Sequence, residues 1–104
     1  LYRVEGSEGD KLVYQVPGPI KRVRVWTWAP SGDDDILEMA AGVPGGSSRK
    51  VDTVQRKRSF TPYQRKGISA IEVRHQSEDF VDDDRLLELR LKNRGWIDRV
   101  EIYY

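Results

Sequence analysis

Trp26 and Trp28 stand two apart in the alternating run Lys21–Trp28, so their indoles project to the same side of an extended strand. Arg22 and Arg24 fall on that side as well, which predicts a face that is at least partly wet. Planar aromatics rimmed by polar groups suit sugar rings, whose axial C–H groups stack on a π-face while their hydroxyls take hydrogen bonds. The competing reading buries both indoles against a second sheet or a covering loop, as large aromatics commonly are. The spacing leaves both open. Trp96, which follows Gly95 ahead of the last alternating run, reads either as a member of the same aromatic set or as a plug over the end of the core.

Other chemistries have less to work with. The 104 residues contain no cysteine, which removes disulfides, thiolate metal sites and cysteine nucleophiles together, and only one histidine, His75, which removes multi-histidine metal sites. No Gly-x-Ser-x-Gly elbow is present, and Gly42–Gly46 lacks the Lys-Ser/Thr of a phosphate-binding loop. His75 is expected at the surface near a strand end. A glycosidase-like carboxylate pair has 17 acidic residues to draw on, but a sandwich this small offers little depth for a cleft. No enzyme is expected. Asp33, Asp34 and Asp35, like Asp82–Asp84, are adjacent carboxylates that cannot all face one ion, and they read as solvated turns. Glu5 and Asp98, one near each terminus, are a different case. First and last strands of sandwiches often lie close, and a calcium ion there would tie them together; otherwise these residues pair with Arg3 or Arg99.

The elements that must carry these side chains have period two. Arg85–Leu91 places Leu87, Leu89 and Leu91 on one side, Asp98–Tyr104 places Val100, Ile102 and Tyr104, and Ile68–Arg74 places Ile71 and Val73. Weaker alternation covers Tyr2–Val4, Lys11–Val16, Ile36–Ala41 and Lys50–Gln55. Ile36–Ala41 has helix-favouring composition, but it is short and bounded by Gly32 and Gly42, which favours a strand. Proline and glycine clusters separate the runs. About eight short strands with one polar face each predict an all-β fold, an antiparallel β-sandwich or barrel in a single domain spanning 1–104.

If successive strands alternate in direction, one end of the sandwich collects Gly6–Gly9, Ala29–Asp35, Ser59–Gly67 and Lys92–Trp96. That end would join Trp28, Tyr63 and Trp96 with Asp33–Asp35, Arg65, Lys66 and Arg94. Arg49–Lys66 is strongly basic with Phe60 and Tyr63 interleaved, a pattern suited to anionic polymers. With 18 basic and 17 acidic residues the chain has a net charge of only +1, so a solvated surface is the plainer reading and nucleic acid is not an expected partner. Mean hydropathy is −0.69, and the longest apolar run is far below the roughly 20 residues that span a bilayer, so no membrane insertion is expected. The chain starts without methionine on a strand-like pattern, which suggests a module excised from a longer protein.

The order Tyr2–Glu5, Lys11–Val16, Ile20–Trp26, closing with Arg85–Leu91, Trp96 and Ile97–Tyr103, resembles galactose-binding-like jelly rolls, the group that holds discoidin-type domains and many carbohydrate-binding modules of bacterial glycoside hydrolases. The resemblance spans nearly the whole chain as a pattern, without an invariant motif. It implies an eight-stranded jelly roll, ligand sites on end loops or on one sheet face, and a structural calcium near the termini that would use Asp98; no other cofactor is required. The absence of terminal cysteines departs from secreted discoidin domains, and the arginine content departs from modules that hold neutral glycans by stacking alone. The implied protein is a non-catalytic, monomeric, extracellular module of a bacterial polysaccharide-degrading enzyme. It would bind a poly- or oligosaccharide through Trp26, Trp28 or the end residues, and its parent catalytic domain would be its other partner. The alternatives are an accessory sandwich that packs on a neighbouring domain and an adhesion module for anionic polysaccharide.

Overall fold

Alternating β-branched, aromatic and leucine residues have one physical outlet in this chain: extended strands with one face turned inward. A computed structural model describes residues 4–6, 10–29, 36–65 and 68–104, with side chains for 10–29, 36–56 and 71–104. Asp33–Asp35 and Lys66 lie outside the described residues, as do the side chains of Glu5, Tyr63 and Arg65. Nine strands follow in order: β1 (Val4–Gly6), β2 (Lys11–Gln15), β3 (Arg22–Ala29), β4 (Leu37–Gly42), β5 (Ser48–Lys50), β6 (Val54–Arg65), β7 (Ile68–Ser77), β8 (Leu86–Leu91) and β9 (Gly95–Tyr103). No helix occurs among the described residues.

The strands form two antiparallel sheets, a β-sandwich. One has five strands in the order β1-β9-β3-β7-β6 and the other four in the order β2-β8-β4-β5. Most connections switch sheets, and the first strand pairs with the last, Glu5 opposite Trp96. The inward positions are those the alternation selects. Val23, Val25 and Thr27 from β3 meet Leu87, Leu89 and Leu91 from β8 and Leu37, Met39 and Ala41 from β4, all buried, with Ile36, Val51 and Ile97 completing the layer. The ends of β1 and β3 and the starts of β7 and β9 share one end of the five-stranded sheet, through Gly6↔Gly95, Trp28↔Trp96 and Ala29↔Ile71, as strand alternation requires.

Several sequence expectations need correction. The expected end loop Ser59–Gly67 is not a loop through its first seven residues: β6 runs from Val54 to Arg65 and pairs with β7 as a hairpin. Phe60, Thr61 and Tyr63 favour strand, and Pro62 is tolerated because it sits where the pairing shifts register between Arg58 and Tyr63, on an edge strand. The run Lys50–Gln55 is divided, with Lys50 ending β5 and Val54 opening β6 in the other sheet.

His75 is also not a surface residue. It continues the inward parity of Val73 and is 0% exposed. Thr27 Oγ1 lies 2.9 Å from His75 Nε2 and donates to the Val73 carbonyl at 3.3 Å.

The opposite end is tied by Asp84, 3% exposed. Its Oδ2 accepts from Val81 N at 2.9 Å and from Arg49 Nη1 at 3.1 Å, and Arg49 Nη2 donates to the Asp79 carbonyl at 2.9 Å. Asp79 Oδ2 in turn accepts from Asp52 N at 3.0 Å, which binds the β7–β8 loop to the β5–β6 crossing. Of the run Asp82–Asp84, then, the first two are exposed turn residues and the third is a buried acceptor. Asp84→Ala strands a backbone donor, and the expected loss is about 1–3 kcal/mol by urea unfolding. Asp83→Ala should change stability by less than about 0.5 kcal/mol.

Candidate functional site

The side of the five-stranded sheet turned away from the core is the most distinctive surface among the described residues. Register across β9, β3, β7 and β6 sets its rows. Glu101, Arg24, Gln76 and Val54 form one; Arg99, Trp26, Arg74 and Arg56 the next; Trp96, Trp28 and Glu72 the third. Tyr103 and Arg22 lead into them. This is the arrangement expected for Trp26 and Trp28 on one arginine-bearing face, with two more strands contributing.

The two tryptophans play different parts. Trp28 lies directly opposite Trp96, and the two form an apolar cluster separate from the main core, 8% and 5% exposed. The pairing depends on Asp98. Between Arg99, opposite Trp26, and Ile97, opposite Thr27, Asp98 is an extra residue in β9, a bulge that returns Trp96 to the outer face. Gly95 lets β9 begin close beneath Trp28, because a Cβ there would stand 2.7 Å from the Trp28 carbonyl oxygen and 2.7 Å from Ile36 Cδ1. Trp26 is half-buried, with the Arg99 guanidinium over its ring at 5.2 Å from the centroid. Arg99 also pairs with Glu101, which accepts from Tyr103 Oη at 2.9 Å.

Arginine dominates the rest of the face. Arg22 lies over the Tyr103 ring at 4.3 Å and Arg24 reaches it at 5.9 Å. The Nε atoms of both are buried and find no acceptor among the described residues. Arg56 and Arg74 face each other directly across β6 and β7. They line a shallow pocket of about 360 Å³ with Val54, Gln76, Ser77 and Glu78. The sequence reading ended a strand at Gln55 and began a loop at Ser59, and so did not bring Arg56 to this face; two-residue parity from the Val54 start of β6 would have done so.

The end set is brought together only in part. Arg94 is exposed between β8 and β9, beside Trp96. Tyr63 and Arg65 are placed by their backbone in β6, opposite Ala70 and Ile68. A calcium ion takes about six to eight oxygen ligands. Asp98 stands on β9 beside β1, which carries Glu5, but no group of three acidic or histidine side chains gathers among the described residues. The Glu5 side chain lies outside the described residues, so Asp98 is the one described carboxylate of that pair.

Scans of the chain against protein-family models, curated proteins and solved structures find no match.

Proposed function

We propose that this domain is a non-catalytic carbohydrate-binding module of the galactose-binding-like jelly-roll type, and that the outer face of its five-stranded sheet holds the glycan. The fold part of the reading is supported by strand order. β1-β9-β3-β7 against β2-β8-β4-β5 agrees with the alternating, first-beside-last order expected of a two-Greek-key jelly roll, with β6 added at one edge.

The observation that carries the function is the face itself: Trp26 and planar guanidinium groups set on paired strands. Strands hold ligand-binding groups in place better than loops do. Docking on a neighbouring domain has less support, because Trp28 and Trp96 bury each other and Arg99 caps Trp26. Among the described residues the rest of that face lacks the apolar centre of a stable interface. On this reading the module is a monomer attached to an extracellular bacterial polysaccharide-degrading enzyme and carries no essential cofactor.

Tryptophan fluorescence titrated against a panel of soluble polysaccharides tests the proposal. A saturable spectral change with at least one glycan, from a protein that stays monomeric in sedimentation, is the expected result. A silent panel together with a concentration-dependent dimer would overturn it in favour of the domain-packing alternative.

A further inference from the structure

Four arginines of the outer face have no carboxylate partner among the described residues: Arg22, Arg24, Arg56 and Arg74. Glu101 stands directly opposite Arg24, but the rest of their placement is unfavourable for an isolated protein. Arg56 and Arg74 are directly opposed, and like charges in that relation repel. Arg22 and Arg24 are two apart on one strand, and Arg24 and Arg74 are diagonal neighbours on adjacent strands. The four trace an oblique track about 20 Å long across β3, β7 and β6, by the usual spacings of a sheet. Stacking on Tyr103 orients the first two guanidinium groups. The shallow pocket of about 360 Å³ at the Arg56–Arg74 end has room for a planar or tetrahedral anion.

We infer that this track binds a polysaccharide carrying carboxylate or sulfate groups at intervals along its chain, each anion taken by an arginine fork. The inference rests on the carbohydrate-binding reading above and names its ligand class. Guanidinium matches both anions in bidentate geometry, and an anion set between Arg56 and Arg74 turns a repelling pair into two attractive contacts.

Charge density separates this ligand from nucleic acid. Duplex DNA presents one charge per about 1.7 Å of axis and a single strand one per about 3.4 Å. Glu72, Glu78 and Glu101 are interspersed with or border the arginines and would repel so dense a chain, whereas a glycan with widely spaced anions can pass them. A track of stacked bases also needs several open rings in series, whereas Trp28 and Trp96 are buried and Tyr103 lies under Arg22.

The test is affinity electrophoresis or calorimetry with polygalacturonate, chondroitin sulfate, xylan, a mixed-linkage β-glucan and an oligodeoxythymidylate, at low and high salt. The expected result is binding to a carboxylated or sulfated chain that weakens as salt rises. R56Q/R74Q should weaken it at least tenfold, R56K/R74K by a smaller factor, and R90Q on the other sheet not at all. Each variant is to be compared at equal melting temperature, and loss of the R56K/R74K protein to misfolding would leave R22Q/R24Q as the second probe.

Salt-insensitive binding of xylan or β-glucan, equal in R56Q/R74Q, would overturn the anionic track and leave the carbohydrate-binding reading standing. Preference for the oligonucleotide, or no binding to any chain, would overturn both.

Discussion

Gly42→Ala is expected to destabilise the domain by about 3 kcal/mol or more, a larger loss than most single substitutions produce. The reason is local and rigid. A Cβ on Gly42 would stand 2.5 Å from the Ser47 carbonyl oxygen and 2.9 Å from Ser48 Cα, both of them backbone atoms that cannot swing aside as a side-chain tip can. That backbone is held on three sides. Gly42 pairs with Ser48 on β5 and with Leu86 on β8, and its carbonyl accepts from Arg85 N at 3.1 Å. The turn beyond it is closed by Gly46 N donating to the Val43 carbonyl at 2.8 Å. Relief therefore requires β5 to leave β4, which would loosen the Arg49 clamp on Asp84 as well.

Gly45 in the same turn is the control. Its φ of +78°, after Pro44, suits the third residue of a type II turn, and no atom lies within 4 Å of its would-be Cβ. Gly45→Ala carries only the left-handed backbone cost of about 1–2 kcal/mol. Urea unfolding of both variants checks the difference. Equal losses would mean that backbone conformation, and not the close approach of β5, is what Gly42 serves.

Period-two alternation made most of this fold readable, because burial of one strand face leaves a record in residue type. Val23, Val25 and Thr27, and Leu87, Leu89 and Leu91, point inward as their spacing requires. What the chain could not disclose is pairing between strands distant in sequence. That Trp28 meets Trp96 depends on one extra residue, Asp98, which shifts the register of β9 against β3. That Arg56 meets Arg74 depends on how β6 and β7 align. A bulge and a hairpin register are decided by the sum of many contacts, and neither has a local signature in the residues that result. His75 is a different kind of miss: its parity with Val73 was legible, but its residue type suggested water. The hydrogen bond with Thr27 is what lets an imidazole occupy that inward position.

Trp28→Ala should cost about 3–5 kcal/mol, the range for deleting a buried aromatic, and lower the melting temperature by at least about 12 °C for a domain of this size. Trp26→Ala should cost about 1 kcal/mol, since a half-buried ring gives up some contact area and the Arg99 stacking, itself worth about 0.5–1 kcal/mol at an exposed site. Two tryptophans of the same strand face thus divide between stability and ligand contact. The division follows from what stands opposite each: an indole for Trp28, an arginine for Trp26. The Trp28–Trp96 pair then acts as an apolar anchor at the end of the face where β1, β9 and β3 meet, and it fixes the strands on which Trp26 and the arginines are displayed. Differential scanning calorimetry of the two variants, followed by polysaccharide titration, separates the roles. A Trp28→Ala protein that melts like the parent but loses glycan would move the binding contact to the tryptophan pair. A Trp26→Ala protein that keeps both its melting temperature and its affinity would leave the arginine track as the sole seat of recognition.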